Sequence, residues 1–212
     1  MKREEIVQEI KKRKAVAVIR MTDTKKLMRV IEAIQKGGVS VIEITMTVPN
    51  ALAMIREVTS GVAPEVLVGV GSVLSGDTAQ QAIDAGAKFV VGPIFKRGVI
   101  EVAHKNDLPA MPGCFTPTEI QTAYEHGADI IKVFPADVLG MAFFRGVLAP
   151  MPHLPLMPTG GVTLTNAGDW IKSGACAVGI GTALLDKKAI ESGDYERLTE
   201  NARVLCTTLA SV

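Results

Sequence analysis

Three charged residues interrupt short, apolar, β-branched segments of the chain. Arg20 ends the first of these segments, Glu43 lies within the second and Lys132 lies within the sixth. Burying a charge without a partner is strongly unfavourable, so each side chain needs a counter-charge or a chemical purpose. In a parallel α/β barrel, chemistry gathers at the carboxyl ends of the strands, which is where these residues fall.

Lys132 is the candidate nucleophile. If its segment is a strand, alternation places Ile130, Lys132 and Phe134 on one face. Desolvation inside a barrel and a neighbouring guanidinium from Arg20 both disfavour a charged lysine, which leaves free amine to attack a carbonyl carbon. Glu43 is the nearby carboxylate that exchanges protons. The alternative is that Glu43 and Lys132 form a structural ion pair.

Glycines recur in the seventh and eighth apolar segments. Gly160 and Gly161 are the last two residues of the seventh, and Gly181 and Thr182 lie in the eighth. Barrels often bind phosphate in the loops after strands seven and eight, where bare backbone N–H groups approach the oxygens. Glycines at strand ends are also frequent turn formers, but their occurrence in both of these units favours a phosphate site.

Three further residues are candidates for contact with a substrate. Ser72, the last residue of the third segment, has a hydroxyl that can donate to a carboxylate, with turn formation as the alternative. Pro93 and Phe134 could shape an apolar wall, and core packing explains Phe134 equally well.

The histidines argue against a catalytic metal. His104, His126 and His153 all fall outside the expected strand ends, where a zinc-dependent aldolase or epimerase would need its ligands. We therefore expect no catalytic metal, and a loosely held Mg²⁺ with oxygen ligands is the alternative that this argument leaves open.

The elements that must position these residues repeat along the chain. Apolar segments start 20 to 27 residues apart and alternate with segments of helical spacing. This pattern is typical of parallel strands covered by helices, and eight units favour a single (β/α)8 TIM barrel over residues 1–212, with an extra N-terminal helix. The apolar segments are 15–20, 39–45, 66–72, 89–93, 109–114, 129–135, 154–161 and 177–184.

Glycines and capping residues predict where the helices end and begin. A glycine stands before five of the predicted strands, where a left-handed conformation would stop the preceding helix. These are Gly38 before strand two, Gly61 before strand three, Gly86 before strand four, Gly127 before strand six and Gly174 before strand eight. Helix starts are predicted after Asp23 and after Thr116, which has Glu119 three residues on.

Composition excludes several other classes of protein. With 23 basic and 22 acidic residues, the net charge of +1 offers no basis for binding nucleic acid or an anionic membrane. Three cysteines without framework spacing point to a reducing compartment, and no apolar stretch of about 18 residues occurs. We expect a cytoplasmic protein with a small-molecule partner.

Together these segments resemble the class I 2-keto-3-deoxy-6-phosphogluconate (KDPG) aldolases, also known as 4-hydroxy-2-oxoglutarate (KHG) aldolases. The resemblance covers nearly the whole chain, and the combination is specific where any one segment is weak. The segments that carry it are AVIR (17–20), IEITMTVPN (42–50), GVGSV (69–73), MPGCFTPTE (111–119), IKVFPAD (131–137), PTGGV (158–162) and GIGTALL (179–185).

The resemblance implies a role for each candidate. Lys132, in a KxFPA-like segment, would be the Schiff-base lysine, and Glu43 would be the general acid and base. Arg20 looks like the strand-one arginine that lines the same site. The implied phosphate contacts are Gly160, Gly161 and Thr182.

Thr47 is the main departure from the family pattern. Some members have an Arg here that helps to hold the substrate, so carboxylate recognition would be left to Arg20 and Ser72. Ser72 stands where Thr is common, and many relatives have Ser in place of Thr182. The resemblance also implies a homotrimer and a reaction without cofactors.

The implied reaction splits 2-dehydro-3-deoxy-6-phosphogluconate into pyruvate and glyceraldehyde 3-phosphate through a Schiff base. The same chemistry on 4-hydroxy-2-oxoglutarate or on the phosphogalactonate epimer is an alternative. So are a phosphate-binding barrel isomerase or epimerase and a catalytically silent sugar-phosphate-binding protein.

Overall fold

The computed structural model describes all residues from Met1 to Val212, and strands and helices alternate along the chain. The strands are β1 (Ala15–Ile19), β2 (Val41–Thr45), β3 (Leu67–Gly71), β4 (Val90–Val91), β5 (Ala110–Met111), β6 (Gly113–Cys114), β7 (Ile131–Val133), β8 (Leu156–Pro158) and β9 (Val178–Ile180). The helices are α1 (Arg3–Arg13), α2 (Thr24–Lys36), α3 (Ala51–Gly61), α4 (Gly76–Asp84), α5 (Arg97–Lys105), α6 (Pro117–Glu125), α7 (Ala136–Leu148), α8 (Ala167–Lys172), α9 (Lys187–Ser192) and α10 (Tyr195–Ala210).

The sheet is parallel and curled. Six strands are ordered β5-β4-β3-β2-β1-β9, and a further three are ordered β6-β7-β8. Only Pro112, which has no N–H to donate, separates β5 from β6. At the other side, a parallel bridge pairs Thr159, just after β8, with Gly179 in β9.

The sequence predictions of a parallel α/β fold and an extra N-terminal helix are confirmed. Each of the eight predicted apolar segments contains a strand. The fifth segment differs from expectation because it forms two short strands on either side of Pro112. No helix is both long and apolar enough to cross a bilayer.

Alternation along the strands gives the sheet an outer and an inner face. The outer face packs against the helices in a cluster of 50 buried residues. The inner face is lined near the amino ends of the strands by a smaller cluster that includes Val16, Val41 and Ile130. Ile6 and Ile10 of α1 belong to this inner cluster and are fully buried. The N-terminal helix therefore covers the end of the sheet opposite to the predicted site.

The predicted helix starts are confirmed. Asp23 accepts a hydrogen bond from the Lys26 N–H. Thr116 and Glu119 form a capping box at the start of α6. Backbone N–H groups of Phe115 and Thr116 donate to the Glu119 carboxylate and lower its pKa.

Four of the five glycines predicted to stop helices do so. Gly38, Gly86, Gly127 and Gly174 have φ between 88° and 107°. The prediction for Gly61 is wrong, because this residue is the last of α3 and the chain leaves the helix through Val62 in an extended conformation.

Candidate active site

Glu43 and Lys132 lie together on the inner face of the curled sheet. Each is two residues beyond an inner-cluster residue, Val41 and Ile130 respectively, so alternation turns both side chains inward. Lys132 Nζ is 3.8 Å from Glu43 Oε1, and the two side chains are 7% and 1% exposed. The strands therefore hold an amine and a carboxylate close to each other and away from bulk water.

Glycines on neighbouring strands provide the space for this pair. Gly69 is opposite Glu43 in β3, and Gly113 is opposite Lys132 in β6. A methyl group on Gly71, two residues beyond Gly69, would overlap the Glu43 carboxylate. A side chain at position 71 would therefore displace the Glu43 carboxylate, whereas one at position 69 would overlap the Phe89 ring and one at position 113 the Pro93 backbone.

Two buried oxygens on this side of the sheet have no hydrogen-bond partner. They are Glu43 Oε2 and Thr159 Oγ1. Thr159 is two residues beyond Met157, which belongs to the inner cluster, so it too faces inward. Buried polar atoms are nearly always paired in native proteins, and both oxygens are therefore available to bond a ligand.

Phe134 borders the Lys132 amine, and Pro93 packs against Gly113, the residue opposite Lys132 in β6. The Lys132 Nζ lies 5.2 Å from the centroid of the Phe134 ring. Pro93 follows β4, and its carbonyl group packs so closely on Gly113 that a methyl group there would overlap it. Phe134 and Pro93 are both half-buried.

Arg20 lies at the rim of the sheet rather than in contact with the amine. It follows β1 and is exposed, and the charged group within 4.0 Å of the Lys132 amine is the Glu43 carboxylate. The predicted influence of a neighbouring guanidinium on the amine is therefore not seen as a direct contact. A solvated position at the strand end avoids the desolvation that a buried guanidinium would suffer.

Thr47 and Ser72 follow neighbouring strands at the same rim. Thr47 is exposed, and its hydroxyl lies 2.8 Å from that of Thr45, the last residue of β2. Ser72 is half-buried and has φ 60°. This left-handed conformation is uncommon for a residue with a side chain and is often found at functional sites.

The two glycine-rich loops lie side by side. The bridge between Thr159 and Gly179 places the residues after β8 next to those after β9. Gly160 and Gly161 have φ 99° and 70°, a region that favours glycine. Gly160 and Gly181 are half-buried, whereas Gly161 and Thr182 are exposed. The four predicted phosphate contacts are thus accessible from the rim.

The Cys114 thiol and the three histidines do not form a second reactive site. Burial, with a smaller effect of the Glu119 carboxylate, raises the pKa of the Cys114 thiol to about 12, so this thiol stays protonated at neutral pH and is a poor nucleophile. His126 and His153 are exposed. His104 is half-buried and bonds Asp129 at 2.9 Å. No group of three or more His, Cys, Asp or Glu residues is arranged to hold a metal ion.

The fold and these residues define a parallel α/β protein with a buried amine–carboxylate pair at the carboxyl ends of its strands. The chain belongs to the KDPG and KHG aldolase family, whose model matches residues 6–201. It is 34% identical over 181 residues to the 2-dehydro-3-deoxy-phosphogluconate aldolase of Pseudomonas aeruginosa, covering 83% of this chain and 81% of that one. It is 31% identical over 191 residues to the KHG/KDPG aldolase of Escherichia coli, covering 89% and 88%.

Solved structures of the same family superpose closely. The KDPG aldolase of Legionella pneumophila, captured with pyruvate as a covalent carbinolamine, has a TM-score of 0.87 at 23% identity, covering 94% of this chain and 97% of that one. The enzyme of Zymomonas mobilis, solved with 3-phosphoglycerate, has a TM-score of 0.83 at 25% identity and covers 94% of both chains. A 3-hexulose-6-phosphate synthase also superposes, with a TM-score of 0.72 at 17% identity over 91% of this chain and 99% of that one. This last similarity shows the fold alone.

Two residues on the inner face were not among the sequence candidates. They are Thr45, fully buried at the end of β2, and Thr159, whose hydroxyl is unpaired. Alternation was the signal that could have found them, because each is a polar residue two positions after an inward-facing one.

Proposed function

We propose that this chain is a class I aldolase that splits 2-dehydro-3-deoxy-6-phosphogluconate into pyruvate and glyceraldehyde 3-phosphate. One observation carries the proposal: a buried lysine amine, 3.8 Å from a buried carboxylate, in the IKVFPAD segment of a chain that belongs to an aldolase family. The similarity to the 2-dehydro-3-deoxy-phosphogluconate aldolase of Pseudomonas aeruginosa and to the KHG/KDPG aldolase of Escherichia coli, each over more than four-fifths of the chain, supports this substrate.

Lys132 forms the covalent bond to the substrate. Its neutral amine attacks the C2 ketone to give a carbinolamine, and the loss of water gives a protonated imine. Glu43 removes a proton from the amine and delivers one to the departing hydroxyl. The unpaired Glu43 Oε2 leaves one oxygen free for these exchanges.

The imine then draws electrons from the bond that breaks. Glu43 takes the proton of the C4 hydroxyl, the C3–C4 bond cleaves, and its electron pair moves into the imine to form an enamine. Glyceraldehyde 3-phosphate leaves at this point. Protonation of the enamine at C3 and hydrolysis of the resulting imine release pyruvate and regenerate the amine.

Binding of the phosphate group orients the substrate in the site. Gly160, Gly161, Gly181 and Thr182 lie in adjacent loops at the rim, where their backbone N–H groups and one hydroxyl can bond phosphate oxygens. Binding energy from this distant group positions the reacting carbons over Lys132. Arg20, Thr47 and Ser72 bind the carboxylate, and Pro93 and Phe134 enclose the C2–C3 region.

We expect Thr182→Val to weaken turnover of the phosphorylated substrate selectively. Loss of one hydrogen bond to a charged phosphate should lower kcat/KM by about tenfold, measured as pyruvate release. Turnover of unphosphorylated 4-hydroxy-2-oxoglutarate should change by less than about twofold, since it lacks the phosphate. Thr182→Ser, which keeps the hydroxyl, is the matched control. Equal losses on both substrates would remove Thr182 from the phosphate site.

We expect Gly71→Ala to impair catalysis through Glu43. The added methyl group overlaps the carboxylate, and a misplacement of about 1 Å can reduce the rate by about a hundredfold. The measurement is kcat for pyruvate release, with thermal unfolding to confirm that the variant folds. Gly98→Ala is the control, because a methyl group on Gly98 meets no atom within 4 Å. A folded Gly71→Ala enzyme with parental kcat would show that the observed position of Glu43 is not needed.

The phosphogalactonate epimer remains the competing substrate within this chemistry. A solved structure described as native KDPGal superposes with a TM-score of 0.85 at 25% identity. Comparison of kcat/KM on the two epimers decides between them, since both should form the same covalent bond to Lys132.

The proposal extends to the architecture. We infer that residues 1–212 form one domain whose sheet closes as an eight-stranded barrel, with β5 and β6 acting as a single strand. The adjacency of these strands across Pro112 and the bridge from Thr159 to Gly179 support closure. The three free cysteines fit the reducing cytoplasm.

We infer a homotrimer in which exposed apolar side chains near the rim of the sheet are buried between subunits. Leu74, Ile94 and Phe115 follow β3, β4 and β6 and are 55%, 48% and 37% exposed, and Val138 in α7 is 69% exposed. Exposed apolar side chains that lie on neighbouring units often mark an interface. A further relative in structure is a cage designed by fusing symmetric oligomeric domains, which superposes with a TM-score of 0.84 at 25% identity.

A further inference from the structure

We propose that Thr45 is a positioning residue that turns the hydroxyl of Thr47 toward the carboxylate of the keto acid. This inference rests on the aldolase function proposed above and deepens it. It explains how a chain with Thr at position 47, where some relatives have Arg, can still hold an anionic group there.

The side chain of Thr45 contacts that of Thr47 at the end of β2. Thr45 ends β2, two residues beyond Glu43, and its side chain is fully buried. It is opposite Gly71, which offers no side chain to bond. The Val48 N–H donates to the Thr45 carbonyl at 3.3 Å, and this turn holds Thr47 so that the two hydroxyl oxygens are 2.8 Å apart.

Burial decides which hydroxyl donates. A threonine hydroxyl has one proton to give and two lone pairs to receive. The only hydrogen-bond partner of the Thr45 hydroxyl is Thr47, whereas Thr47 is exposed. If Thr47 donated to Thr45, the proton of Thr45 would be buried without an acceptor, which is unfavourable. Thr45 therefore donates, and the proton of Thr47 points away from it.

This arrangement makes the Thr47 hydroxyl a directed donor. One of its two lone pairs accepts from Thr45, which leaves its proton free for a ligand at the rim, where Ser72 follows the neighbouring strand. Donation to a carboxylate oxygen is charge-assisted, and a donor that is already oriented loses less freedom when the ligand binds. A pair of hydroxyls thus takes the place of one guanidinium.

The test is the pyruvate concentration that gives half-maximal trapping of the Lys132 adduct with cyanoborohydride. Thr45→Val has the same shape without the hydroxyl, and we expect it to raise this concentration by about three- to tenfold, the range for loss of one neutral hydrogen bond. Thr47→Val removes the charge-assisted hydrogen bond itself and should raise it by about tenfold or more. Thr45→Ser should restore the parental value to within about twofold, because the donor is kept.

The double variant separates orientation from a general packing effect. If Thr45 acts through Thr47, Thr45→Val combined with Thr47→Val weakens pyruvate capture no more than the Thr47 change alone. Multiplication of the two single effects, or an unchanged value in Thr45→Val, overturns the inference even if stability falls. If the parental protein traps pyruvate normally, either of these two results refutes the role of Thr45 and leaves the aldolase function standing. Absence of trapping in the parental protein refutes the aldolase function, and the inference with it.

Discussion

Replacing Lys132 with Met abolishes covalent capture of pyruvate and lowers the rate of aldol cleavage by about 10⁴-fold or more, the scale of losing a catalytic nucleophile. Met has a similar length and fits an apolar surrounding, but it carries no amine. Without the amine no imine forms, and the electrons of the C3–C4 bond have nowhere to go. The measurement is the mass of the intact protein after incubation with pyruvate and cyanoborohydride, followed by peptide mapping.

A surface lysine provides the control for this experiment. Lys172→Met changes a side chain that is 63% exposed in α8, so trapping should continue at the parental level. An adduct in the parental protein that maps to Lys172, or to any lysine other than Lys132, would refute the assignment.

The Lys132→Met variant also has a consequence for stability. It leaves the Glu43 carboxylate, 1% exposed, without the amine beside it, and a buried charged group left without a partner costs about 1–3 kcal/mol or more. Adding Glu43→Gln removes the orphaned charge and should recover most of this loss in thermal unfolding. The two variants together separate the loss of the nucleophile from the loss of stability, because the double variant stays inactive.

The sequence predicted the parts of the site that depend on strand alternation. Once DIIKVFP is assigned as a strand, the period of two places Lys132 with Ile130 and Phe134, and the structure shows Lys132 and Phe134 side by side. Glu43 could be placed inside in the same way. These predictions succeed because they need only local periodicity and the rule that parallel strands present their carboxyl ends at one edge.

Features that depend on neighbouring strands could not be predicted. The need for glycine at Gly71 arises from the Glu43 side chain, and the role of Gly113 arises from Pro93, each contributed by a different strand. The exposure of Arg20 depends on its position at the rim, and the split at Pro112 depends on which partner each half of the strand bonds. Strand register and the contacts between side chains of different strands are properties of the assembled sheet, and they cannot be predicted from a single sequence.

The pair of Thr45 and Thr47 falls between these cases. Strand alternation predicts from the sequence that Thr45 faces inward and that Thr47 follows β2. The 2.8 Å contact between their hydroxyls is visible only in the structure. A comparison of residue types at position 47 alone indicates a lost arginine. The burial of Thr45 is the observation from which we infer that an oriented hydroxyl takes its place.

Glu43→Gln should retain the covalent step in part and lose most of the cleavage rate. The amide has the same shape as the carboxylate and fills the space over Gly71, but it cannot accept the proton of the amine or of the C4 hydroxyl. General acid–base catalysis contributes about 10²- to 10⁴-fold, and we expect a fall in kcat within that range. Lys132 keeps its amine, so trapping with pyruvate continues at a reduced rate.

Exchange of the methyl protons of pyruvate with deuterated water isolates the proton transfer of Glu43 from the breaking of the carbon–carbon bond. Exchange requires the imine and then removal of a C3 proton, so Lys132→Met should abolish it and Glu43→Gln should slow it about as much as cleavage. Glu32→Gln, a change in a carboxylate that is 64% exposed in α2, is the control and should exchange at the parental rate. Parental exchange in Glu43→Gln would mean that another group or a water molecule carries the proton. Glu43 would then be a structural counter-charge for the lysine, and the 3.8 Å contact would reflect an ion pair rather than a proton shuttle.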